Sequence, residues 1–260
     1  MGLVLLALAT ASCCGVRSLS RAMMFPGSPV AFPEGKALRE AHPDAVLVDY
    51  RARDGQPLRG AWCRPPQGVK TSGAILFFHG NGESAAQNLE FGDELAEAGW
   101  RVFLAEYRGY GGLPGHPSEE GLYLDGEAAL ELVEGEVGRG SVVLVGRSLG
   151  TGVAVELAAR GHGRALVLVS PYTSMVDLGR RMVGGMLARL AVADRFDNAG
   201  KIGRIELPVT VIHGTDDNVV PYAMGEAIAK ACKNGRLITV AHHGHNDLPG
   251  LAAIIDRALR

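Results

Sequence analysis

From residue 44 onward, short apolar runs alternate with stretches of helical spacing, with glycine and polar clusters between them. Ala74–Phe78, Val102–Ala105, Val142–Val145, Ala165–Val169, Val209–Ile212 and Leu237–Val240 are continuous apolar runs, which predicts strands buried on both faces. Ala45–Arg51 and Leu58–Arg64 predict an antiparallel pair turning at Asp54-Gly55. Helices are predicted over Glu83–Ala98, Leu122–Val137 (opened by a Ser118 cap), Gly150–Arg160, Tyr222–Cys232 and Asp247–Leu259. Residues 174–200 predict one or two amphipathic helices. Eight strands alternating with helices give an α/β fold: a mostly parallel eight-stranded sheet, opened by an antiparallel hairpin and covered by helices on both faces. In such sheets the reactive groups collect beyond the carboxyl ends of the strands.

The residues just beyond each strand carry the chemistry. After Val145 comes Gly146-Arg147-Ser148-Leu149-Gly150, then a helical pattern. A tight strand–turn–helix of this kind lifts a serine hydroxyl out of the chain, and glycines flank it because side chains there would collide. In a chain with 36 glycines, chance supplies such a pentapeptide in roughly one sequence of five, so partners are needed. After Ile212 stands His213-Gly214-Thr215-Asp216-Asp217-Asn218-Val219-Val220-Pro221, with two adjacent carboxylates. After Val240 stands Ala241-His242-His243-Gly244-His245-Asn246-Asp247, with three histidines. Nucleophile, acid and base thus occur in the order Ser, Asp, His. The imidazole takes the serine proton and returns it to the leaving group, while the carboxylate fixes its tautomer. After Phe78, the glycine-rich turn His79-Gly80-Asn81-Gly82-Glu83-Ser84 leads into a helix. The Asn81 amide and that of Leu149, next to the nucleophile, are the candidate oxyanion donors. His79 and His213, each before a glycine, are expected to be structural, and Arg147 to anchor the turn. Tyr107 and Arg108 stand between scaffold and substrate contact.

These motifs resemble the α/β-hydrolase superfamily over about residues 45–258. The ordered set H-G-N-G, Y-R-G-Y-G, P-S-E-E-G-L-Y-L-D, G-R-S-L-G, H-G-T-D-D-N-V-V-P and G-H-N-D is similar to one subgroup of it. That subgroup holds small membrane-associated serine hydrolases, among them protein depalmitoylases, with bacterial relatives labelled serine-aminopeptidase-like or lysophospholipase-like. The resemblance implies Ser148 as nucleophile, Asp217 rather than Asp216 as acid, and His245 rather than His242 or His243 as base. It implies that Glu106–Gly111 borders the active site. The stretch from Ser174 to Leu207 is too short for a large lid domain; its Met175, Met182, Val183, Met186, Leu187 and Leu190 are either walls of the acyl pocket or a stripe that packs on the sheet. The reaction expected is hydrolysis of a carboxylic ester or thioester through an acyl-enzyme on Ser148. The alternatives are a serine peptidase or amidase, and a non-catalytic envelope lipoprotein with a hydrolase fold.

Composition narrows this reading. A chain of 260 residues, 47% hydrophobic and 21% charged, suits one globular domain, expected over residues 44–260 after a lead-in over 15–43. A net charge of −2 without a basic run leaves no footprint for nucleic acid. No organic cofactor is implied. The His242-His243-Gly244-His245 cluster lacks companion ligands at metal spacing. Cys63 and Cys232 are expected to be small apolar residues rather than nucleophiles. Residues 3–11 are apolar and run into Ser12-Cys13-Cys14, too short to span a bilayer. Residues 1–14 are therefore expected to be an export signal of lipoprotein type, with lipidation at Cys13 or Cys14. That places the protein in the cell envelope, attached through its N-terminus; without a working signal it stays cytoplasmic. The expected partner is a small-molecule or lipid acyl substrate, and the expected state a monomer.

Overall fold

Alternate residues of the central strands pack into opposite layers, as a sheet covered on both faces requires. The computed structural model describes residue 21 and residues 24–183 and 192–260. Its strands are β1 (Ala45–Arg51), β2 (Pro57–Cys63), β3 (Gly73–Phe78), β4 (Trp100–Ala105), β5 (Val142–Arg147), β6 (Ala165–Val169), β7 (Val209–Gly214) and β8 (Gly235–Val240). They form one eight-stranded sheet in the order β1-β2-β4-β3-β5-β6-β7-β8. The β1–β2 and β2–β4 pairs are antiparallel and every other pair is parallel, which is the expected fold.

The helices are α1 (Gly35–Ala41), α2 (Leu89–Glu97), α3 (Glu119–Val137), α4 (Gly150–Ala159), α5 (Met175–Val183), α6 (Asn198–Ile202), α7 (Tyr222–Ala231) and α8 (Leu251–Leu259). Leu76, Phe78, Leu144, Leu166 and Leu168 face one core with Ala129 and Val133 of α3, Val153 and Leu157 of α4, and Ile228 of α7. Ile75, Phe77, Val143, Val145, Val167 and Val169 face the other, with Leu38 of α1, Leu95 of α2 and Ile255 of α8. Ahead of β1, Phe25 and Phe32 are buried too, one in each core.

Two helices begin later than the pattern predicts. The segment from Glu83 first forms a 3₁₀ turn, Ala85–Asn88, before α2. Its leading polar groups are turned inward instead: Glu83 accepts from the Gly80 amide at 2.5 Å, and the Ala85 amide donates to Glu106. The last helix starts at Leu251 rather than Asp247, because Gly250 adopts a left-handed φ of 58° and Asp247 caps the Gly244 amide. The proposed signal segment, with Cys13 and Cys14, lies outside the described residues, as do Met186, Leu187 and Leu190. Among the described residues no helix is long and apolar enough to cross a membrane.

The sharpest packing constraint is where α4 meets β3. A Cβ on Gly150 would stand 2.1 Å from the Phe78 carbonyl oxygen, and one on Gly146 would stand 2.5 Å from the Gly150 oxygen. Both obstacles are backbone, so neither moves aside cheaply. Gly150→Ala is expected to cost at least about 3 kcal/mol, read as a lowered urea midpoint at unchanged m-value.

Candidate active site

The serine loop is built by those two glycines. With them in place the chain turns back within one residue, and Ser148 takes the strain at φ 49°. Its amide donates to Val169 of the neighbouring strand at 2.9 Å, and its carbonyl accepts from the Thr151 amide and hydroxyl at 3.0 and 2.6 Å. The hydroxyl is thereby held clear of the sheet, at the N-terminal end of α4.

Two other strand ends reach it. The loop after β8 folds back across β7: the Asp216 amide donates to the His243 carbonyl, and a Cβ on Gly214 would lie 2.2 Å from that oxygen. The crowding thus demands glycine at Gly214, where the backbones cross. Carried over β7, His245 places Nε2 3.0 Å from Ser148 Oγ and Nδ1 2.7 Å from Asp217 Oδ2. An ionised carboxylate only accepts, so Nδ1 carries the proton and Nε2 is left to accept the serine hydroxyl. Asp216 instead accepts from the Thr215 hydroxyl and is exposed. His242 and His243 are not in the row; His243 Nδ1 turns to the His242 carbonyl.

Asp217 is fixed from every side. Its Oδ1 accepts from the Val219 and Val220 amides at 2.9 and 2.7 Å. Its Oδ2 also lies 3.2 Å from Nε2 of His213, a fully buried ring that donates to the Val220 carbonyl. Gly225 makes room for that ring, since a Cβ there would stand 2.2 Å from His213 Nδ1. Burial pushes the Asp217 carboxyl up, but hydrogen bonds from His213 and His245, the His245 charge and the Val220 amide outweigh it. The carboxyl is held well below the usual carboxylate range. The sequence suggested a structural role for His213; its contact with Asp217 adds a second imidazole at the acid.

The turn after β3 passes beside the serine, with the Cβ position of Gly80 3.4 Å from Ser148 Cβ. Among the described residues neither the Asn81 amide nor the Leu149 amide donates to a protein acceptor. The Asn81 side chain is engaged elsewhere: Nδ2 donates to the Met24 carbonyl at 2.6 Å and Oδ1 accepts from the Tyr110 hydroxyl at 2.7 Å. Beneath the turn, His79 Nε2 lies 2.8 Å from Glu106 and Nδ1 2.8 Å from the Gly80 carbonyl. Both partners offer oxygens, a setting that favours the doubly protonated ring. Burial alone lowers its pKa; the charge and hydrogen bond of Glu106 raise it above the ordinary value. Tyr107 donates to the His79 carbonyl, and Arg108 is held by Asp125 at 2.7 Å and Asp54 at 2.7 Å. Arg108 is therefore scaffold. Arg147 spans to Glu83 at 3.3 Å and Asn246 at 2.9 Å. Burial pushes the Cys63 thiol up strongly and that of Cys232 to about 11, so neither supplies a thiolate at neutral pH. Among the described residues no cluster of His, Cys, Asp or Glu could hold a metal ion.

A serine at a strand–turn–helix apex, joined through a histidine to a carboxylate at the carboxyl end of a mostly parallel sheet, is the arrangement of the α/β hydrolases. Comparison with known proteins agrees. The family described as serine aminopeptidase, S33, matches residues 69–200, and the alpha/beta hydrolase fold family matches residues 169–249. An uncharacterized protein of Mycobacterium tuberculosis is 35% identical over 231 residues, covering 87% of this chain and 80% of that protein. Human alpha/beta hydrolase domain-containing protein 17B is 34% identical over 187 residues, covering 70% of this chain and 64% of that protein. Among solved structures, the Pyrococcus furiosus esterase Pf2001 superposes with a TM-score of 0.68 at 16% identity, covering 90% of this chain and 96% of that one. The chain belongs to the α/β-hydrolase superfamily, in its serine aminopeptidase-like branch.

Proposed function

We propose that the protein is a serine hydrolase that cleaves a carboxylic ester or thioester through an acyl-enzyme on Ser148. The observation that carries this reading is the unbroken row Ser148 Oγ, His245 Nε2, His245 Nδ1, Asp217 Oδ2, with links of 3.0 and 2.7 Å. His245 removes the hydroxyl proton as Oγ attacks the carbonyl carbon, and the carbonyl oxygen takes the negative charge. The Leu149 amide, at the N-terminal end of α4, and the Asn81 amide receive that oxyanion. Collapse of the intermediate expels the alcohol or thiol, which leaves with the proton from His245. Water then repeats the sequence on the acyl-enzyme, releasing the acid and restoring Ser148. Asp217 stays ionised throughout, orienting the ring and stabilising its cationic form.

A fluorophosphonate probe is expected to label the wild-type chain and to leave Ser148→Ala unlabelled. Labelling that survives this change would refute the assignment. The family description names an aminopeptidase, so amide cleavage is the second reading. A panel of p-nitrophenyl esters, acyl thioesters and aminoacyl anilides compared by kcat/KM separates the two: turnover confined to the anilides would replace the ester reading.

A further inference from the structure

The nucleophile, its base and the oxyanion donors of the proposed chemistry sit on three loops, after β3, β5 and β8. The ladder fixes the strands, but it does not fix how far apart the loops beyond them stand. One side chain touches all three. Arg147 is the residue before the nucleophile; its Nη1 lies 3.3 Å from Glu83 Oε2, and its Nη2 donates to Asn246 Oδ1 at 2.9 Å. Glu83 belongs to the turn that carries Asn81, and Asn246 directly succeeds His245.

Resting on the serine-hydrolase reading above, we propose that Arg147 is a positioning residue that clamps the oxyanion turn and the histidine loop at a fixed separation around Ser148. The connection runs into backbone at both ends. The second oxygen of Glu83 accepts from the Gly80 amide at 2.5 Å, so the clamp holds the main chain of the turn beside Ser148. It also occupies the Gly80 amide, while the Asn81 amide next to it has no protein acceptor among the described residues. On the other side, Asn246 sits between His245 and Asp247, whose carboxylate holds the Gly244 amide at 2.6 Å. The guanidinium suits this task because its two terminal nitrogens diverge in one rigid plane and serve one loop each. A lysine has one ammonium centre and can hold one loop well. With its charge already answered by Glu83, Arg147 is not a free anchor for an anionic substrate.

The test is steady-state kinetics on a p-nitrophenyl ester, with urea unfolding and fluorophosphonate labelling run alongside. A positioning error near the reacting atoms costs rate rather than binding, so Arg147→Met is expected to lower kcat by about thirtyfold with KM changed by less than about twofold. Arg147→Lys, which keeps charge and length and so protects folding, is expected to fall between, at about a fivefold loss. Glu83→Gln keeps an acceptor for the Gly80 amide but loses the charge. Combined with Arg147→Met it is expected to add less than about twofold, because the two changes break one unit. Methylguanidine is expected to restore part of the kcat of Arg147→Ala, a response that a purely structural arginine would not give. A kcat for Arg147→Met within about twofold of wild type, or losses that multiply in the double variant, would overturn the clamp. Those results leave wild-type labelling intact, whereas failure of the serine-hydrolase reading shows as wild-type protein that the probe does not label at Ser148.

Discussion

His245→Ala is expected to lower kcat on a p-nitrophenyl ester by about a millionfold, to near the level left by binding and oxyanion donors alone. The geometry sets the size of this loss. Nε2 of His245 is the one ring nitrogen that hydrogen-bonds Ser148 Oγ among the described residues, at 3.0 Å. An unassisted serine hydroxyl is a poor nucleophile, so removing its base removes the covalent route. The two neighbouring histidines do not replace it: His243 Nδ1 turns to the His242 carbonyl, His242 is exposed, and neither ring hydrogen-bonds Ser148 among the described residues. His242→Ala and His243→Ala are each expected to keep kcat within about twofold of wild type, which separates a base from a histidine-rich loop. Parallel kcat measurements on the three variants decide the matter.

Asp217→Asn is expected to cost about ten-thousandfold in kcat at neutral pH with the fold retained. The carboxylate takes the Val219 and Val220 amides at Oδ1 and His245 at Oδ2, with His213 Nε2 a further 3.2 Å contact at Oδ2. An asparagine keeps one acceptor oxygen, and the two backbone amides claim it. Its NH₂ group then faces His245 Nδ1, which must accept; the ring proton moves to Nε2, where it can no longer take a proton from Ser148. Asp216→Asn is the control, expected to leave kcat within about twofold because its carboxylate bonds only a neighbouring hydroxyl. Stability depends on pH through the same Asp217 carboxyl. Its folded pKa lies below its unfolded value, so its stabilising contribution is complete above the unfolded carboxylate pKa, about 3.9, and is lost as pH falls through the folded one. Protonation of Asp217 is therefore not expected to set the acid limb of the rate profile.

Much of this was legible along the chain because strands and elbows are local. Continuous apolar runs such as Ala74–Phe78 have only one accommodation in a sheet covered on both faces, and the loops beyond them hold the polar residues. What was not legible depends on residues far apart in sequence. Asp216 and Asp217 are equivalent in composition and spacing; they differ because one faces His245 across a loop crossing that only Gly214 permits. The early part of the Glu83–Ala98 segment has good helical spacing, yet Glu83 and the Ala85 amide are drawn off to Gly80 and Glu106. No pattern in the sequence ties Arg147 to Glu83 and Asn246, 64 and 99 residues away.

The bond from Asn81 to the Met24 carbonyl has a practical consequence for anyone cutting the gene. A boundary drawn at the first strand, or at the end of a cleaved leader placed too generously, would discard a carbonyl that steadies the turn beside the nucleophile. It would also discard Phe25, whose ring packs edge-on against Phe196 at 6.3 Å. The smallest fragment that keeps this site whole is therefore longer than the sheet: it begins no later than Met24.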